Sequence, residues 1–485
     1  MISSTYILAI DQSTAATKVY LLDAAGKITG RFSKPHQQFY PKPGYVEHDA
    51  EEIWRNLVHG IRAVSQNRQR ITGIALTNQR ETTVFWDRDN GKPLCPAIVW
   101  QDVRGEYLCG ELAEHAGRVR QLTGLTLSAY FPAVKAAAKF REAPELLRLA
   151  EEGRLCVGTI DSYLLFRLTG GRVFATDVSN ASRTLLMNLH TLDFSPELCS
   201  LFGIPIRCLP KILPSDALFG QVELGDRGPV PIHAVMGDSH AALYGQGCHE
   251  AGMVKATFGT GSSVMMNIGR MPILSQNGLS TSVGYSYGKQ TCYVLEGNVT
   301  SSGDALRWLV EEAGLAHDLA EVEAVARDTP DTGGVYLVPA FSGLGAPHNK
   351  PSARATISGL SRGSTRRHIL RAALESIAYQ DADIIQAMQQ DTGSRVVELR
   401  VDGGPTSNSV LMQFLADLVG CNVQTAINNE LSALGAGYMA GRALGVYSPE
   451  ISVGQGKRYT ASQNEAWRRD KLQGWHAAIH RSVDI

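Results

Sequence analysis

An α/β protein made of two related domains is what this sequence predicts, and three observations carry the prediction. Apolar strand-like runs alternate with helical patterns along the whole chain. Two segments roughly half a chain apart share one layout: an apolar strand, a turn of small and hydroxylated residues, then a second strand. Several strands also end in polar clusters, where α/β sheets place ligands. With 485 residues, 44% hydrophobic, and 48 glycines, the chain has room for two or three domains at ~150 residues each.

Each element follows in turn. The first hairpin runs Tyr6–Asp11, turns through Gln12-Ser-Thr-Ala-Ala-Thr17, and returns through Lys18–Asp23. Asp49-Ala-Glu-Glu52 is an Asp variant of the capping box and opens a helix with Ile53, Trp54, Leu57 and Ile61 at helical spacing. Ile71–Leu76 is a buried strand that runs into the polar stretch Thr77-Asn-Gln-Arg-Glu81. The apolar strand before Asp238-Ser-His240 leads into an apolar helix, and a domain boundary is expected near Gly245–Gly252. The second hairpin runs Met253–Phe258, turns through Gly259-Thr-Gly-Ser262, and returns through Ser263–Asn267. Val396–Val401 is a strand ending at Asp402-Gly-Gly404, followed by the helix-like Val410–Val419. Gly435-Ala-Gly437-Tyr-Met-Ala440 fits a relaxed dinucleotide-binding pattern, but it stands inside a small-residue helix that no strand is expected to feed, so close helix packing explains its glycines.

Charge and cysteine usage exclude several classes. Lys plus Arg number 46 against 47 Asp plus Glu, so no surplus of basic charge exists to neutralise nucleic acid or an acidic membrane surface. The eight cysteines are scattered, with no CxxC pair, which points to reduced core thiols and a cytoplasmic setting rather than to zinc. The apolar run before Asp11 is too short for a signal segment or a membrane span.

Hairpin tips rich in Thr, Ser and Gly suit phosphate, because the backbone can come close and amides and hydroxyls donate. Two such tips, one per domain, point to a polyphosphate bound in a cleft; the P-loop motif is absent. Asp11, at the end of the first strand, suits a Mg²⁺ held beside the phosphates or an Asx turn opening the loop. Asp238 suits a helix cap or a general base facing the phosphates. Gly237-Asp-Ser239 also resembles an esterase block, with Ser239 as a rival nucleophile. Gly404 and Asn408 suit a nucleoside base lying on bare backbone, or a tight turn with Asn as cap. Arg80, Glu81, Trp100 and Tyr130 offer the donors, acceptors and aromatic faces that hold a polyol.

Long blocks then identify a resemblance. Tyr40-Pro-Lys-Pro-Gly-Tyr-Val-Glu-His-Asp49, Leu76-Thr-Asn-Gln-Arg-Glu-Thr-Thr83, Ala97–Asp102, Asn180-Ala-Ser-Arg-Thr184, Pro339–Pro347, Leu374–Gln380 and Arg400-Val-Asp-Gly-Gly404 resemble the FGGY carbohydrate kinases, and among them the glycerol-phosphorylating branch. The resemblance spans Tyr6 to about Gly445. It implies an actin-like ATPase fold with two ribonuclease-H-like domains, placed at 1–246 and 247–485, around a cleft for ATP, Mg²⁺ and a polyol or sugar. It implies Asp238 as catalytic base and Asp11 as the carboxylate beside the metal, with Asp238 close by. Thr14, Ala15, Ala16 and Lys18 match the first phosphate loop, Lys18 standing where Arg is usual. Gly259, Thr260 and Gly261 match the second. Gly303, Arg307, Gly404 and Asn408 match the nucleoside site, Arg307 replacing the usual Gln. Arg80, Glu81, Trp100 and Tyr130 match the acceptor site, and a homodimer or homotetramer is implied.

The departures fall in the acceptor pocket. Ser239 and His240 stand where glycerol kinases carry two Gln residues, and Ser263 stands where they place an aromatic. Both serines replace larger groups, so the expected pocket is wider and more polar and the expected acceptor larger than glycerol, with glycerol as the alternative. Pro347-His-Asn-Lys350 replaces an aromatic pair and an acid, and Gly225-Asp-Arg-Gly-Pro229 lacks the Gly-rich loop through which some relatives bind a phosphosugar inhibitor.

Overall fold

A computed structural model describes residues 5–65, 70–224 and 228–483. The loop departure at 225–227 lies outside the described residues. In the N-terminal half, strands β1 (Thr5–Gln12), β2 (Ala16–Leu22), β3 (Ile28–Pro35), β4 (Arg70–Asn78), β5 (Leu218–Glu223) and β6 (Pro229–Gly237) form one sheet in the order β5-β6-β4-β1-β2-β3. In the C-terminal half, β7 (Val254–Phe258), β8 (Ser262–Gly269), β9 (Ser280–Tyr287), β10 (Gln290–Val299), β11 (Glu398–Gly403), β12 (Asn422–Ala426) and β13 (Gln455–Tyr459) form another, in the order β9-β10-β8-β7-β11-β12-β13. The shared plan is visible in the pairings. Each first strand pairs antiparallel with the return strand of its hairpin and parallel with the next crossover strand, β1 with β4 and β7 with β11. The repeated hairpins therefore hold equivalent places in two related sheets.

Period-two alternation decides what each sheet face meets. In the C-terminal sheet, Val254, Ala256, Phe258, Val264, Met266, Leu295, Leu399 and Val401 enter one core with the long helix Arg366–Thr392. The opposite face carries Lys255, Thr257, Glu296 and Asp402, with Met265 and Ser263 between them in the ladder. That face meets the N-terminal half.

Helix α1 (Ala50–Val64) packs on the N-terminal sheet through Ile53, Leu57 and Ile61. Its cap is Asp49, whose carboxylate accepts from Glu51 N. The reciprocal half of the expected capping box is not formed, because the Glu52 carboxylate instead accepts from Gln37 N. Two further helices join the halves: α2 (Asp238–Gly245) and α3 (Leu431–Ala443). They cross so closely that a Cβ on Gly435 would lie 1.8 Å from the Ala241 carbonyl oxygen. Close packing thus explains the glycines as read, with one correction: strand β12 does precede this helix, separated by residues 427–430.

All eight cysteines are free, six of them buried. No helix among the described residues is long and apolar enough to cross a membrane.

His348, in the divergent Pro347–Lys350 segment, has a structural role. The Asp383 carboxylate, buried in the long helix, accepts from His348 Nε2 at 2.9 Å, from Trp475 Nε1 at 2.7 Å and from His476 Nε2 at 2.8 Å, tying the C-terminal helix to that segment. The Asp383 carboxyl sits below the ordinary carboxylate range: burial opposes the shift, and the two imidazoles outweigh it. His476 is raised above 6.5, first by the Asp383 hydrogen bond. A lowered acid stabilises above its unfolded pKa, and a raised base stabilises below its own. Asp383→Asn should therefore cost about 2–3 kcal/mol. Denaturant titration at several pH values should find the loss greatest between the unfolded values of 3.8 and 6.5, and smaller as the pH rises through the His476 transition.

Candidate active site

The parallel register places three strand ends in one row. Gln12 pairs with Asn78, and Asn78 pairs with Gly237, so Asp11, the 77–81 stretch and Asp238 emerge at the same edge. Asp11 is buried there. Its Oδ1 has no hydrogen-bond partner, and its Oδ2 lies 3.7 Å from Lys18 Nζ. Burial raises the Asp11 carboxyl to about 7; the Lys18 ammonium opposes this and the charge of Asp238 adds to it. Lys18 is also 3.4 Å from Glu430, just before α3.

Asp238 is the first residue of α2, after Gly237 at the cap position. Its Oδ1 accepts from Ser239 N at 2.7 Å and lies 3.4 Å from Arg80 Nε, and the side chain is 32% exposed. The capping reading gives way: Asp238 sits inside the helix, with the carboxylate open to the cleft.

The Ser239 rival fails on geometry. A nucleophile elbow needs a strained strand-to-helix turn, whereas Ser239 lies within α2 and is not among the residues of positive φ. His240, the adjacent base candidate, is fully buried, with Nδ1 unpartnered and Nε2 3.5 Å from Ser282 Oγ. Burial, then the cations Arg80 and Arg183, hold its ring neutral.

Behind Asp238 lies a sealed ionic cluster. Arg80 donates through Nη1 and Nη2 to Glu296 at 2.9 and 2.7 Å. Arg183 lies 2.9 Å from the same carboxylate and donates through Nε to Glu81 at 2.6 Å. No member exceeds 6% exposure except Asp238 at its mouth. Burial disfavours the Glu296 charge, but the guanidiniums of Arg183 and Arg80 hold its carboxyl well below the usual range. Glu81 reaches Arg183 from a left-handed backbone, φ +64°.

Trp100 and Tyr130 form the adjoining wall, their rings 5.7 Å apart in an edge-to-face contact. Trp100 Nε1 donates to Thr14 Oγ1 at 2.9 Å, so this wall is tied to the first loop. Lys135 supports it from beneath: its buried Nζ donates to the carbonyls of Ala129 and Tyr130 at 2.5 and 2.6 Å, and burial lowers its pKa to about 7.

The first loop is closed by Ser13 N on the Ala16 carbonyl at 3.0 Å, which leaves the amides of Thr14 and Ala15 without a partner among the described residues. In the second loop Gly259 N donates to Gly261 O at 2.8 Å, while the Thr260 and Gly259 carbonyls accept from Ser302 N and Gly303 N at 2.8 and 3.1 Å. A Cβ on Gly261 would lie 2.2 Å from the Val299 carbonyl oxygen. Gly303, Arg307, Gly404 and Asn408 gather beside this loop. Arg307 Nη2 is 3.3 Å from Thr260 Oγ1. Phe258 pairs with Gly403, which puts Gly404 next to the loop with open space where a Cβ would stand. Asn408 Oδ1 caps the following helix on Leu411 N at 2.9 Å, so its role as cap is filled and its amide nitrogen remains for a ligand.

The predicted residues therefore form two groups, one at the strand ends of the N-terminal sheet and one around the second loop. Sequence reasoning missed Glu296, Arg183 and Glu430, and the hydrogen-bonded chain Lys255–Thr257–Asp402–Gln246 that crosses the junction through bonds of 3.0, 2.7 and 2.8 Å. A charge inside the apolar run Tyr293-Val-Leu-Glu-Gly297 was the available signal for Glu296.

Residues 6–245 match the N-terminal domain of the FGGY family of carbohydrate kinases, and residues 254–444 match its C-terminal domain. The chain belongs to the FGGY carbohydrate kinases. A glycerol kinase of Alkalilimnicola ehrlichii is 45% identical over 97% of this chain and 98% of its own, and glycerol kinase 1 of Thermotoga maritima is 43% identical over 98% and 99%. The crystal structure of Plasmodium falciparum glycerol kinase with ADP superimposes with a TM-score of 0.94 at 33% identity, covering 99% of this chain and 98% of that one. This FGGY kinase is accordingly an ATP-dependent phosphotransferase acting on an alcohol group of a sugar or polyol, with the two-domain α/β fold of the actin-like ATPases.

Among the described residues no group of three metal-binding side chains exists. What a divalent cation would find is the unpartnered, buried Asp11 oxygen with Asp238 nearby, a hard-oxygen setting that would suit Mg²⁺.

The tight fit of the second loop gives a test. Gly261→Ala must push against the Val299 carbonyl, and the Michaelis constant for ATP should rise at least tenfold while that for the acceptor stays within twofold, measured by steady-state ADP release.

Proposed function

We propose that this FGGY kinase transfers the γ-phosphoryl group of ATP to a primary hydroxyl of a polyol or sugar larger than glycerol. The observation that carries the acceptor size is Ser263. Its Oγ is buried with no partner, and it stands on the sheet face that also bears Glu296, the partner of Arg80. An unpartnered buried hydroxyl is costly, and an additional acceptor hydroxyl would satisfy it. The second reading, glycerol as acceptor, is favoured by the relatives above, at 45% and 43% identity and named glycerol kinases.

In the proposed reaction Asp238, whose carboxylate is a third exposed, takes the proton from the attacking hydroxyl. Arg80 and Glu81 orient the acceptor's hydroxyls, and the faces of Trp100 and Tyr130 cover its C–H surface. The free amides of Thr14 and Ala15, and the loop Gly259–Gly261, hold the phosphates, with Lys18 adding positive charge. Gly303, Arg307, Gly404 and Asn408 hold the nucleoside. Asp11, beside Asp238, would hold Mg²⁺, which would supply positive charge to offset that of the phosphates. Domains divided at 246/247 close to exclude water, since an activated base beside ATP would otherwise hydrolyse it. The eight free thiols fit a reducing cytoplasm, and a homodimer or homotetramer is the assembly we infer.

Mg·ATP with a panel of three- to seven-carbon polyols and ketoses, read as ADP release, tests the reading. Turnover should be highest with an acceptor longer than glycerol; no turnover above the ATPase background for any member would overturn it. Asp238→Asn should lower kcat by about 10²–10⁴ with ADP affinity nearly unchanged by calorimetry, and retained activity would remove the base assignment. Ser263→Phe with Ser239→Gln should move the kcat/KM ratio tenfold or more toward glycerol, and an unmoved ratio would contradict the pocket argument.

A further inference from the structure

We propose that Glu296 is a positioning residue of the acceptor site, supplied by the opposite domain to fix the plane of the Arg80 guanidinium. The inference rests on the kinase reading above and assigns a role to a residue outside the acceptor-contacting set.

Both terminal nitrogens of Arg80 donate to the two oxygens of Glu296, at 2.9 and 2.7 Å. A bidentate pair of this kind sets rotation as well as distance, because the guanidinium is a rigid planar fork. With that edge taken, the Nε edge is left at 3.4 Å from Asp238. Each Nη still carries one hydrogen directed away from Glu296, which is what an acceptor hydroxyl would meet. Arg80 lies two residues past the end of β4 and Glu296 comes from the middle of β10, opposite Met265 in the ladder. Their contact therefore exists only when the two domains are apposed. Arg183 completes the arrangement by bridging Glu296 and Glu81, so both acceptor-contacting charged side chains are set by one carboxylate.

Structural stability alone is a weak reason for such a cluster. Sealed ion groups gain little over well-packed apolar side chains of the same volume, because desolvation consumes most of the Coulombic attraction. Here the sealed charges balance, two arginines against two glutamates, while Asp238 alone stays open to the cleft. The fixed geometry is what an apolar replacement would lack.

The test separates acceptor from nucleotide. In Glu296→Gln, Arg80 loses one charged partner and its fixed plane, so the acceptor KM should rise at least tenfold while the ADP dissociation constant stays within twofold. Glu296→Asp keeps the buried charge but withdraws it by one methylene. It should still fold, because the sealed charges still balance, and its acceptor KM should rise at least fivefold, so it carries the test if the Gln variant does not fold. A purely structural role would move both constants together. Turnover by the wild type with acceptor KM within twofold in the folded variants would overturn this inference alone. A wild type that turns over no acceptor would overturn the kinase reading with it.

Discussion

The two halves of this protein meet on bare backbone. Gly435 of α3 lies against the Ala241 carbonyl of α2 with no room for a Cβ, and Gly245 meets the same turn of α3 from the other side. That crossing fixes where α2 begins, and Asp238 is its first residue. Any side chain at the crossing would move Asp238 relative to both loops. Domain packing and placement of the cleft are therefore one constraint, set by small residues whose only chemistry is to be absent.

Electrostatics follows from that placement. Close apposition of the sheets seals Arg80, Arg183, Glu81 and Glu296 away from water, where unpaired charge would be prohibitive. Pairing satisfies them almost completely. Beside that cluster, Asp11 keeps an Oδ1 with no partner and Asp238 stays a third exposed. Overall charge is nearly zero, so composition carries no trace of the charges gathered here.

How much of this was readable in the sequence depended on range. The two hairpins were readable because their apolar strands and Gly- and Ser-rich tips are local signals, and both sheets have them in equivalent places. Asp238 and the loop residues were readable because each follows directly on a strand. Glu296 was not, since nothing local says which distant arginine a buried carboxylate faces; that is decided by a ladder and a domain junction. The capping box failed for the same reason: Glu52, free to reach back to its own cap, is drawn to Gln37 in a neighbouring segment. His348 read as a departure from the family and proved to be half of a clamp on Asp383 that joins it to the C-terminal helix.

The central claim is that the acceptor alcohol sits between Asp238 and the Glu296-held Arg80, facing the phosphates that the two loops would hold. A crystal structure of the protein with a non-hydrolysable ATP analogue and its best acceptor tests this most directly. The expected result is a primary hydroxyl within about 2.6–3.2 Å of an Asp238 carboxylate oxygen, with Arg80 still bidentate on Glu296 and the phosphates on the amides of both loops. An acceptor bound away from Asp238, or an Arg80 that leaves Glu296 when the acceptor binds, would contradict the account.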